Sequence, residues 1–336
     1  MVSIKDVAIK AGFSTATVSR VITGNYYVTS ETKEKVLKVI KELNYYPNSV
    51  ARSLKNDATN TIGFLVSDIS NDYFTTVAKS IEDIVSEYGY NIIVCSTENK
   101  KEKEISYLKM LLSKRVDGII LNTTGYNNEF VSEISNNIPL VLIERRIENE
   151  KFKGDYVTND NIAGAYSLTS HMLSLGHRKI AVINGNMLLN NAQERYDGFR
   201  KAMKEYSIDL PEDYIYRYDG DFTMESGYKA TSSLLNIKNR PTAIIAMNNM
   251  TGVGMLKYLH SKGTNVPENI SLAVFGEMSN SDILFVKPTV IRLNPKAIGD
   301  KASELLLSRI KNGGVNNREV LYMPQLVVSE TTRLLL

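Results

Sequence analysis

Apolar residues near the start of the chain recur with the three- and four-residue spacing of amphipathic helices. The three predicted inner faces are Ile4, Val7, Ala8 and Ala11; Val18, Val21 and Ile22; and Val36, Val39, Ile40 and Leu43. Ser3 and Ser14 stand where N-cap residues are expected, and Gly12 suits the left-handed turn that ends a helix. Two short helices joined by a turn containing glycine indicate a helix-turn-helix, whose second helix enters the major groove.

A short segment after this region has two interpretations. Pro47 ends the third predicted helix, and Val50, Ala51 and Leu54 then share one side of one or two helical turns. A helix this short is unstable in isolation. The segment is either an interdomain linker or a hinge that folds against DNA and a partner subunit, inserting an apolar side chain into the minor groove.

From Thr61 onward, short β-rich runs alternate with helical patterns. Predicted strands are Ile62–Val66, Asn91–Cys95, Gly118–Leu121, Leu140–Ile143, Lys179–Ile183, Ile215–Tyr218, Thr242–Met247 and Ser271–Phe275. The helical segments include Thr76–Tyr88, Lys101–Ser113, Ile162–Leu175, Gln193–Tyr206 and Glu225–Leu235. This alternation predicts parallel sheets covered on both faces, and the number of strands favours two doubly wound lobes. Ligands of such sheets bind beyond the carboxyl ends of the strands, here in the cleft between lobes.

Composition narrows the class of protein. A length of 336 residues predicts two or three domains, and no apolar run approaches the ~20 residues of a membrane span. We expect a cytoplasmic protein, since the N-terminal residues lack the pattern of a signal peptide and one cysteine, Cys95, forms no internal disulfide. Three histidines make histidine-rich metal sites improbable, and we expect neither a metal nor a cofactor.

The net charge is unevenly distributed. It is +3 over the whole chain, but the first 60 residues hold nine basic and five acidic residues, a net of +4, which leaves −1 for the remainder. The pattern indicates a small basic domain attached to a nearly neutral body.

Three motifs resemble the N-terminal signature of the LacI/GalR repressor family in order and spacing: IKDVA at 4–8, TVSRV at 17–21 and YPNSVARSL at 46–54. Family landmarks continue in the body, with LGHRKI at 175–180, ERYDGF at 194–199 and PTAI at 241–244. The resemblance implies a small all-α helix-turn-helix head plus an α/β two-lobed, periplasmic-binding-protein-like sensor of two doubly wound parallel sheets. It implies a transcriptional repressor, most simply of a carbohydrate-utilisation operon.

The expected domains are the head (1–46), the hinge and linker (47–60) and the sensor (61–336). Within the sensor, one lobe combines 61–160 with about 293–322, and the other combines 161–291 with about 323–336. The expected partners are a palindromic double-stranded DNA operator, a small effector such as a sugar or sugar derivative, and a second copy of the chain. The last residues lack a heptad repeat, so we expect a dimer without a tetramer-forming helix.

The resemblance also assigns DNA contacts. Thr15, Ala16 and Arg20 occupy its base-reading positions, and Leu54 the position that intercalates at the operator centre. The full predicted set is Ser3, Ser14, Thr15, Ala16, Thr17, Ser19, Arg20, Asn25, Asn48, Arg52, Leu54 and Lys55. Ala16 offers only a methyl contact, so specificity there depends on thymine methyl groups or on neighbouring residues.

The effector-binding set implied for the cleft is Tyr73, Phe74, Glu144, Asp160, Asn191, Arg195, Phe222, Asn248 and Gly276. Arg195 matches an arginine that clamps effectors and Phe222 an aromatic residue that stacks on them; the alternatives are a surface salt bridge and an ordinary core residue. Asn249 and Gly276 replace aspartates that are common in the family. Losing these acids suggests a ligand other than a simple neutral sugar, such as a sugar phosphate, although Glu144 and Glu277 can restore acid character.

Two other classes of protein compete with the repressor. An enzyme would be expected to show a phosphate-binding loop, a Cys-x-x-Cys pair or a complete dinucleotide fingerprint, and none is present. A free solute-binding protein would lack the basic head.

Leu54→Ala should weaken binding to the operator much more than binding to random DNA, because an intercalating side chain contributes only where the duplex is kinked. Parallel titrations of both duplexes measure the difference. Equal losses would contradict the hinge interpretation.

Overall fold

The computed structural model describes residues 2–24, 27–46, 58–278, 286–313 and 316–335. Contacts divide the chain into two units, Met1–Thr59 and Asn60–Leu336. In the first unit the described helices are α1 (Ile4–Ala11), α2 (Thr15–Thr23) and α3 (Ser30–Glu42). No helix of the described residues is long and apolar enough to cross a membrane.

Local sequence signals set the ends of the head helices. Ser3 and Asp6 form a capping box at the start of α1, and Gly12 ends that helix at φ 73°. The Ser14 side chain accepts a hydrogen bond from Thr17 N at 3.1 Å, which caps α2. The three helices enclose a small core of buried side chains: Val7, Ala8, Val18, Val21, Val36, Val39 and Tyr45. The predicted helix-turn-helix fold is confirmed.

The second unit contains two six-stranded sheets. The strands are β1 (Thr61–Val66), β2 (Asn91–Ser96), β3 (Gly118–Leu121), β4 (Leu140–Ile143), β5 (Asp155–Asn159), β6 (Ile180–Asn184), β7 (Arg217–Asp219), β8 (Ala243–Ala246), β9 (Ser271–Phe275), β10 (Thr289–Arg292), β11 (Glu319–Tyr322) and β12 (Gln325–Val327). The helices are α4 (Asp72–Glu87), α5 (Lys101–Ser113), α6 (Asn128–Ile134), α7 (Asn161–Ser174), α8 (Asn190–Glu205), α9 (Met224–Leu235), α10 (Asn249–Ser261) and α11 (Pro295–Asn312).

The two sheets define two lobes. Lobe 1 has the strand order β11-β5-β4-β3-β1-β2 and lobe 2 the order β12-β10-β9-β8-β6-β7. All pairings are parallel except that of β10 with β12. Each sheet is covered on both faces, with hydrophobic clusters around Phe64 and Leu121 in lobe 1 and around Phe199 and Ile244 in lobe 2. The predicted two-lobed α/β fold is confirmed.

The chain passes between the lobes three times. It leaves lobe 1 between β5 and α7, returns between β10 and α11, and leaves again between β11 and β12. Each passage spans only a few residues. The carboxyl ends of the central strands therefore lie beside the same junction.

A buried ion cluster fixes the edge of lobe 1. The Asp155 carboxylate at the start of β5 is fully buried and accepts two 2.7 Å hydrogen bonds from Arg309 of α11. Arg318, next to β11, donates to the same carboxylate through its side chain and its backbone N–H. Burial by itself raises the pKa of Asp155, but the two arginines outweigh that effect and hold the pKa below its usual value. The cluster thus joins two strands and a helix of lobe 1.

Asp155→Asn should destabilise the protein by about 3–5 kcal/mol, because it removes the buried carboxylate with which Arg309 and Arg318 pair. A carboxyl group whose pKa is depressed in the folded state stabilises above its unfolded pKa of about 3.9 and loses that contribution as pH falls through its folded pKa. The difference between wild type and variant should therefore shrink below about pH 4. Urea unfolding followed by circular dichroism measures both effects.

Glu319→Gln is a suitable control because Glu319 is exposed on the neighbouring strand β11. Its effect should stay within about 0.5 kcal/mol. A similar, small effect of both substitutions would show that the buried cluster contributes little.

Candidate functional site

The described surface of α2 presents short polar side chains and one arginine. Thr15, Ala16 and Arg20 are exposed, while Thr17 and Ser19 are partly covered. Val18 and Val21 face the core and fix the orientation of the helix. Small side chains on an exposed face allow a backbone to approach base edges closely, and an arginine can donate two hydrogen bonds to guanine.

The other predicted DNA contacts have different positions. The side chains of Ser3 and Ser14 are N-caps, so their hydroxyl groups already bond the backbone of their own helices. Asn25, Asn48, Arg52, Leu54 and Lys55 lie outside the described residues. Apart from Ser3, which precedes α1, the described residues of the predicted set therefore lie on α2 or just before it.

A cavity of about 330 Å³ lies between the lobes. Both lobes supply its walls, mostly from residues that directly follow the carboxyl end of a strand or begin a helix. Lobe 1 contributes Ser67, Asp68, Asn71, Tyr73, Phe74, Asn99, Asn122, Glu144 and Arg145. Lobe 2 contributes Asn191, Arg195, Phe222, Thr223, Met224, Glu225, Asn248, Asn249, Met250, Phe275, Gly276 and Glu277, with Leu293 at a crossing. The volume suits a small molecule of one ring or two.

Arg195 is a fixed cation in lobe 2. It is buried on α8, where its Nε donates to Asn161 Oδ1 at 2.8 Å and its Nη1 to Met247 O at 2.7 Å. Its guanidinium lies 4.0 Å from the ring centroid of Phe275 and 5.5 Å from that of Phe222. Burial lowers the pKa of Arg195. Nη2 forms no hydrogen bond to any described residue, which leaves it available to a ligand.

Phe222 takes an unusual backbone conformation, at φ 66°. Its ring packs directly over Gly185, where an added Cβ would come within 2.2 Å of two ring carbons. Only glycine at that position lets the ring lie there. Strain of this kind is often retained at binding sites, and here it places an aromatic face on the cavity wall.

Glu144 supplies the acid of lobe 1. Its side chain follows β4, is 4% exposed, and accepts hydrogen bonds through Oε1 from the Tyr73 hydroxyl and from Asn159 Nδ2, the latter at 2.9 Å. Burial raises the pKa of Glu144. Its backbone also has a positive φ, 60°, which turns the chain at the strand end. The carboxyl group is thus rigidly held at the cavity wall.

Arg145 is a second buried cation, which the sequence analysis did not select. Its Nη1 donates to Asn99 Oδ1 at 2.8 Å and to Thr123 O at 2.9 Å, while its Nε is buried without a partner. Burial is the main reason that the pKa of Arg145 falls to about 10. Its signal in the sequence is its position next to Glu144 at the end of a predicted strand.

A reciprocal pair of amides joins the lobes. Asn71 Nδ2 donates to Asn249 Oδ1 at 3.2 Å, and Asn249 Nδ2 donates to Asn71 Oδ1 at 2.9 Å. Asn71 also caps α4 through the same Oδ1, which accepts from Tyr73 N at 3.1 Å. An aspartate at 249 accepts hydrogen bonds but donates none, so it would lose half of this pair. The asparagine that replaces the family's usual acid therefore has a partner in the opposite lobe.

Three predicted effector contacts need correction or qualification. Asp160 is absent from the cavity wall, because its carboxylate caps α7 by accepting from Ala163 N at 2.8 Å. Asn248 lines the cavity, but its Oδ1 caps α10. Gly276 lines it without a side chain, at φ 100°. The other six predicted residues line the cavity: Tyr73, Phe74, Glu144, Asn191, Arg195 and Phe222.

Metal chemistry has no visible site in this region. Among the described residues, no group of three or more histidine, cysteine, aspartate or glutamate side chains is arranged to hold a metal ion.

Comparison with known proteins agrees with this architecture. Residues 3–48 match the model of bacterial regulatory proteins of the lacI family, and residues 59–329 match that of periplasmic binding proteins and the sugar-binding domain of the LacI family. The chain belongs to the LacI family. It is a DNA-binding transcriptional repressor of that family with an effector domain, and not an enzyme.

Individual relatives cover most or all of the chain. The HTH-type transcriptional repressor PurR of Histophilus somni is 33% identical over 337 residues, 100% of both chains. The lac repressor dimer bound to operator and the anti-inducer ONPF is 25% identical; the match covers 99% of each chain and has a TM-score of 0.85. A LacI family regulator from Enterococcus faecium with bound ribose is 27% identical, covers 82% of this chain and 99% of its own, and has a TM-score of 0.73.

The reciprocal amide pair should be energetically coupled. In a cycle of Asn71→Ala, Asn249→Ala and the double variant, we expect a coupling energy of about 1 kcal/mol, the net contribution of such hydrogen bonds. Asn249→Asp should destabilise more than Asn249→Ala, because its carboxylate would face the Asn71 oxygen. Urea unfolding of the four proteins and the Asp variant gives these values; additive single effects would show that the contact is energetically irrelevant.

Proposed function

We propose that this repressor binds a palindromic operator as a homodimer and is controlled by a small polar ring compound in the interlobe cavity. The observation that carries the proposal is the position of Arg195. It is a buried cation close to two phenylalanine rings, it is held by neutral oxygens, and it lines the cavity. This arrangement provides both a hydrogen-bond donor and aromatic faces for a ring.

A sugar or sugar derivative is the effector that the cavity favours. The carboxyl group of Glu144 and the amides of Asn122, Asn191 and Asn248 line one cavity together with two arginines. Hydroxyl groups both donate and accept hydrogen bonds, so such a mixed wall suits a polyhydroxylated ring. The relative from Enterococcus faecium carries ribose, which supports this class of effector.

A purine is the second candidate. The relatives named PurR align with the full length of this chain at 33% identity, and PurR binds purines. A planar base could stack on Phe222 while accepting a hydrogen bond from Arg195.

DNA recognition in this proposal uses the exposed residues of α2. Thr15, Ala16 and Arg20 would read base edges in each half-site, and the hinge would contact the minor groove at the centre. Each head brings a modest positive charge, so two heads on one operator would add their phosphate contacts. Because the activity requires chromosomal DNA, the proposal places the protein in the bacterial cytoplasm.

The test begins with selecting a preferred duplex from a random library and measuring its affinity by fluorescence anisotropy. We expect two protomers per duplex, and an affinity that falls steeply with salt. One compound from a panel of pentoses, hexoses, their phosphates and purine bases should change the affinity. Arg195→Gln should bind the duplex like wild type without ligand but lose at least about 10-fold of the ligand response, since a hydrogen bond from a buried charge is removed.

Arg200→Gln is the matched control, because Arg200 lies on the same helix but on its exposed side. It should respond to the ligand like wild type. Failure to select any duplex would reject the DNA-binding part of the proposal, and an unchanged response of Arg195→Gln would reject the cavity as the effector site.

A further inference from the structure

A fully buried carboxylate of lobe 1 lies behind the cavity wall without lining the cavity. Glu104, on the first turn of α5, accepts three hydrogen bonds of 2.7 Å: from the backbone N–H and the hydroxyl of Thr124, and from Asn127 Nδ2. All three donors are uncharged. A buried carboxylate is costly unless its charge is compensated. These bonds therefore satisfy the oxygens of Glu104 but not its charge.

One peptide group connects Glu104 to Arg145. The N–H of Thr124 donates to Glu104 Oε1 at 2.7 Å, and the carbonyl of the same peptide group, Thr123 O, accepts from Arg145 Nη1 at 2.9 Å. A trans peptide group is planar, and its N–H and C=O point in opposite directions. Its positive end therefore meets the carboxylate and its negative end meets the guanidinium. Hydrogen bonds in such a chain polarise and strengthen one another.

The same end of α5 also fixes the second acceptor of Arg145. Asn99, whose Oδ1 accepts from Nη1 at 2.8 Å, lies two residues before the helix and has a left-handed backbone at φ 55°. Asn127, which binds Glu104, also donates to Lys101 O at 2.9 Å. The first turn of α5 and the residue before its N-cap thus hold both acceptors that set the direction of the guanidinium.

The charges of Glu104 and Arg145 also act on each other through space. Burial is the largest influence on the pKa of Arg145 and lowers it, and Glu104 is the strongest charge that opposes this effect, ahead of Glu144. Solvent screens these charges little, because Glu104 is fully buried and Arg145 is 4% exposed. An acid outside the cavity therefore stabilises a cation on its wall.

We propose that Glu104 is a positioning residue of the effector cavity, which holds Arg145 against the ligand through the Thr123–Thr124 peptide group without touching the ligand itself. The inference rests on the proposed role of the cavity as the effector site. A guanidinium whose direction is fixed before binding needs no ordering when the ligand arrives, which increases affinity. Loss of Glu104 would free the peptide group and Arg145 together.

A double-mutant cycle tests the link between the two residues in the ligand-free protein. Glu104→Gln, Arg145→Gln and the double variant are compared with wild type by urea unfolding. Each substitution weakens the compensation of the other charge. Arg145→Gln should therefore change the unfolding equilibrium constant at least about 5-fold less in the Glu104→Gln background than in wild type. Additive effects would overturn the proposal.

Modification of arginine by phenylglyoxal, located by peptide mass spectrometry, then reports whether Arg145 is held. Glu104→Gln should raise the modification rate of Arg145 by about 5-fold or more, because local opening at the cavity wall becomes easier. Arg195 is equally buried but anchored in lobe 2, so its rate should stay unchanged. An unchanged rate at Arg145, or an equal rise at both arginines, would contradict the proposed role.

Two further variants complete the comparison. Glu102→Gln removes an exposed acid from the same turn of α5 and should change neither the modification rate nor the stability. Thr124→Val removes the hydroxyl donor to Glu104 but keeps the peptide N–H and the charge, so the rate at Arg145 should rise by only about 2- to 3-fold. This milder variant keeps the test decisive if Glu104→Gln does not fold, and an unchanged rate would then reject the proposal.

Isothermal titration connects the link to the effector. The probes are ribose, glucose, glucose 6-phosphate and hypoxanthine. A probe that binds wild type should bind Glu104→Gln about 5-fold or more weakly, but Glu102→Gln equally well. Equal affinity for both variants would overturn the positioning role. A ligand response of wild type together with an additive cycle rejects the role of Glu104 alone, whereas a coupled cycle in a protein that binds no probe counts against the effector cavity alone.

Discussion

The organisation of the sensor depends on one topological constraint: the chain joins its two sheets through three short crossings beside the same junction. Each crossing follows the carboxyl end of a strand, β5, β10 or β11. Because all three begin there, the polar groups exposed at strand ends in both lobes face one cavity. A ligand that contacts both walls therefore acts on the relation between lobes. To shift a conformational equilibrium, an effector must bind one arrangement of the lobes more tightly than the other.

Much of the fold follows from hydrophobic pattern. The central strands β1, β3, β4 and β9 are continuous apolar runs because both faces of a parallel sheet are buried, and their bounds agree with the sequence within one residue. Four strands, β5, β10, β11 and β12, were not among those predicted. β5 contains Asp155 and Asn159, two polar residues that are buried because Arg309 and Glu144 satisfy them. That pairing comes from distant segments and leaves no local signal.

The same distinction applies to the cavity. Tyr73, Phe74, Arg195 and Phe222 could be predicted because they match positions of a known family pattern and follow strand ends or begin helices. The contact between Asn71 and Asn249 could not, since 178 positions separate the two residues. Asp160 does not line the cavity for a local reason: a carboxylate just before a helix is well placed to cap it. Polar residues at strand ends thus divide into those that face the ligand and those that satisfy the backbone, and the sequence does not separate them.

Charge also couples the two lobes. Arg145 is anchored by acceptors of lobe 1, and Arg195 by acceptors of lobe 2. Their like charges interact unfavourably, but the buried acids Glu104 and Glu144 offset that repulsion at Arg145. A ligand that bonds both arginines would connect the two walls of the cavity. The difference in its affinity between two arrangements of the lobes is the free energy available to regulate DNA binding.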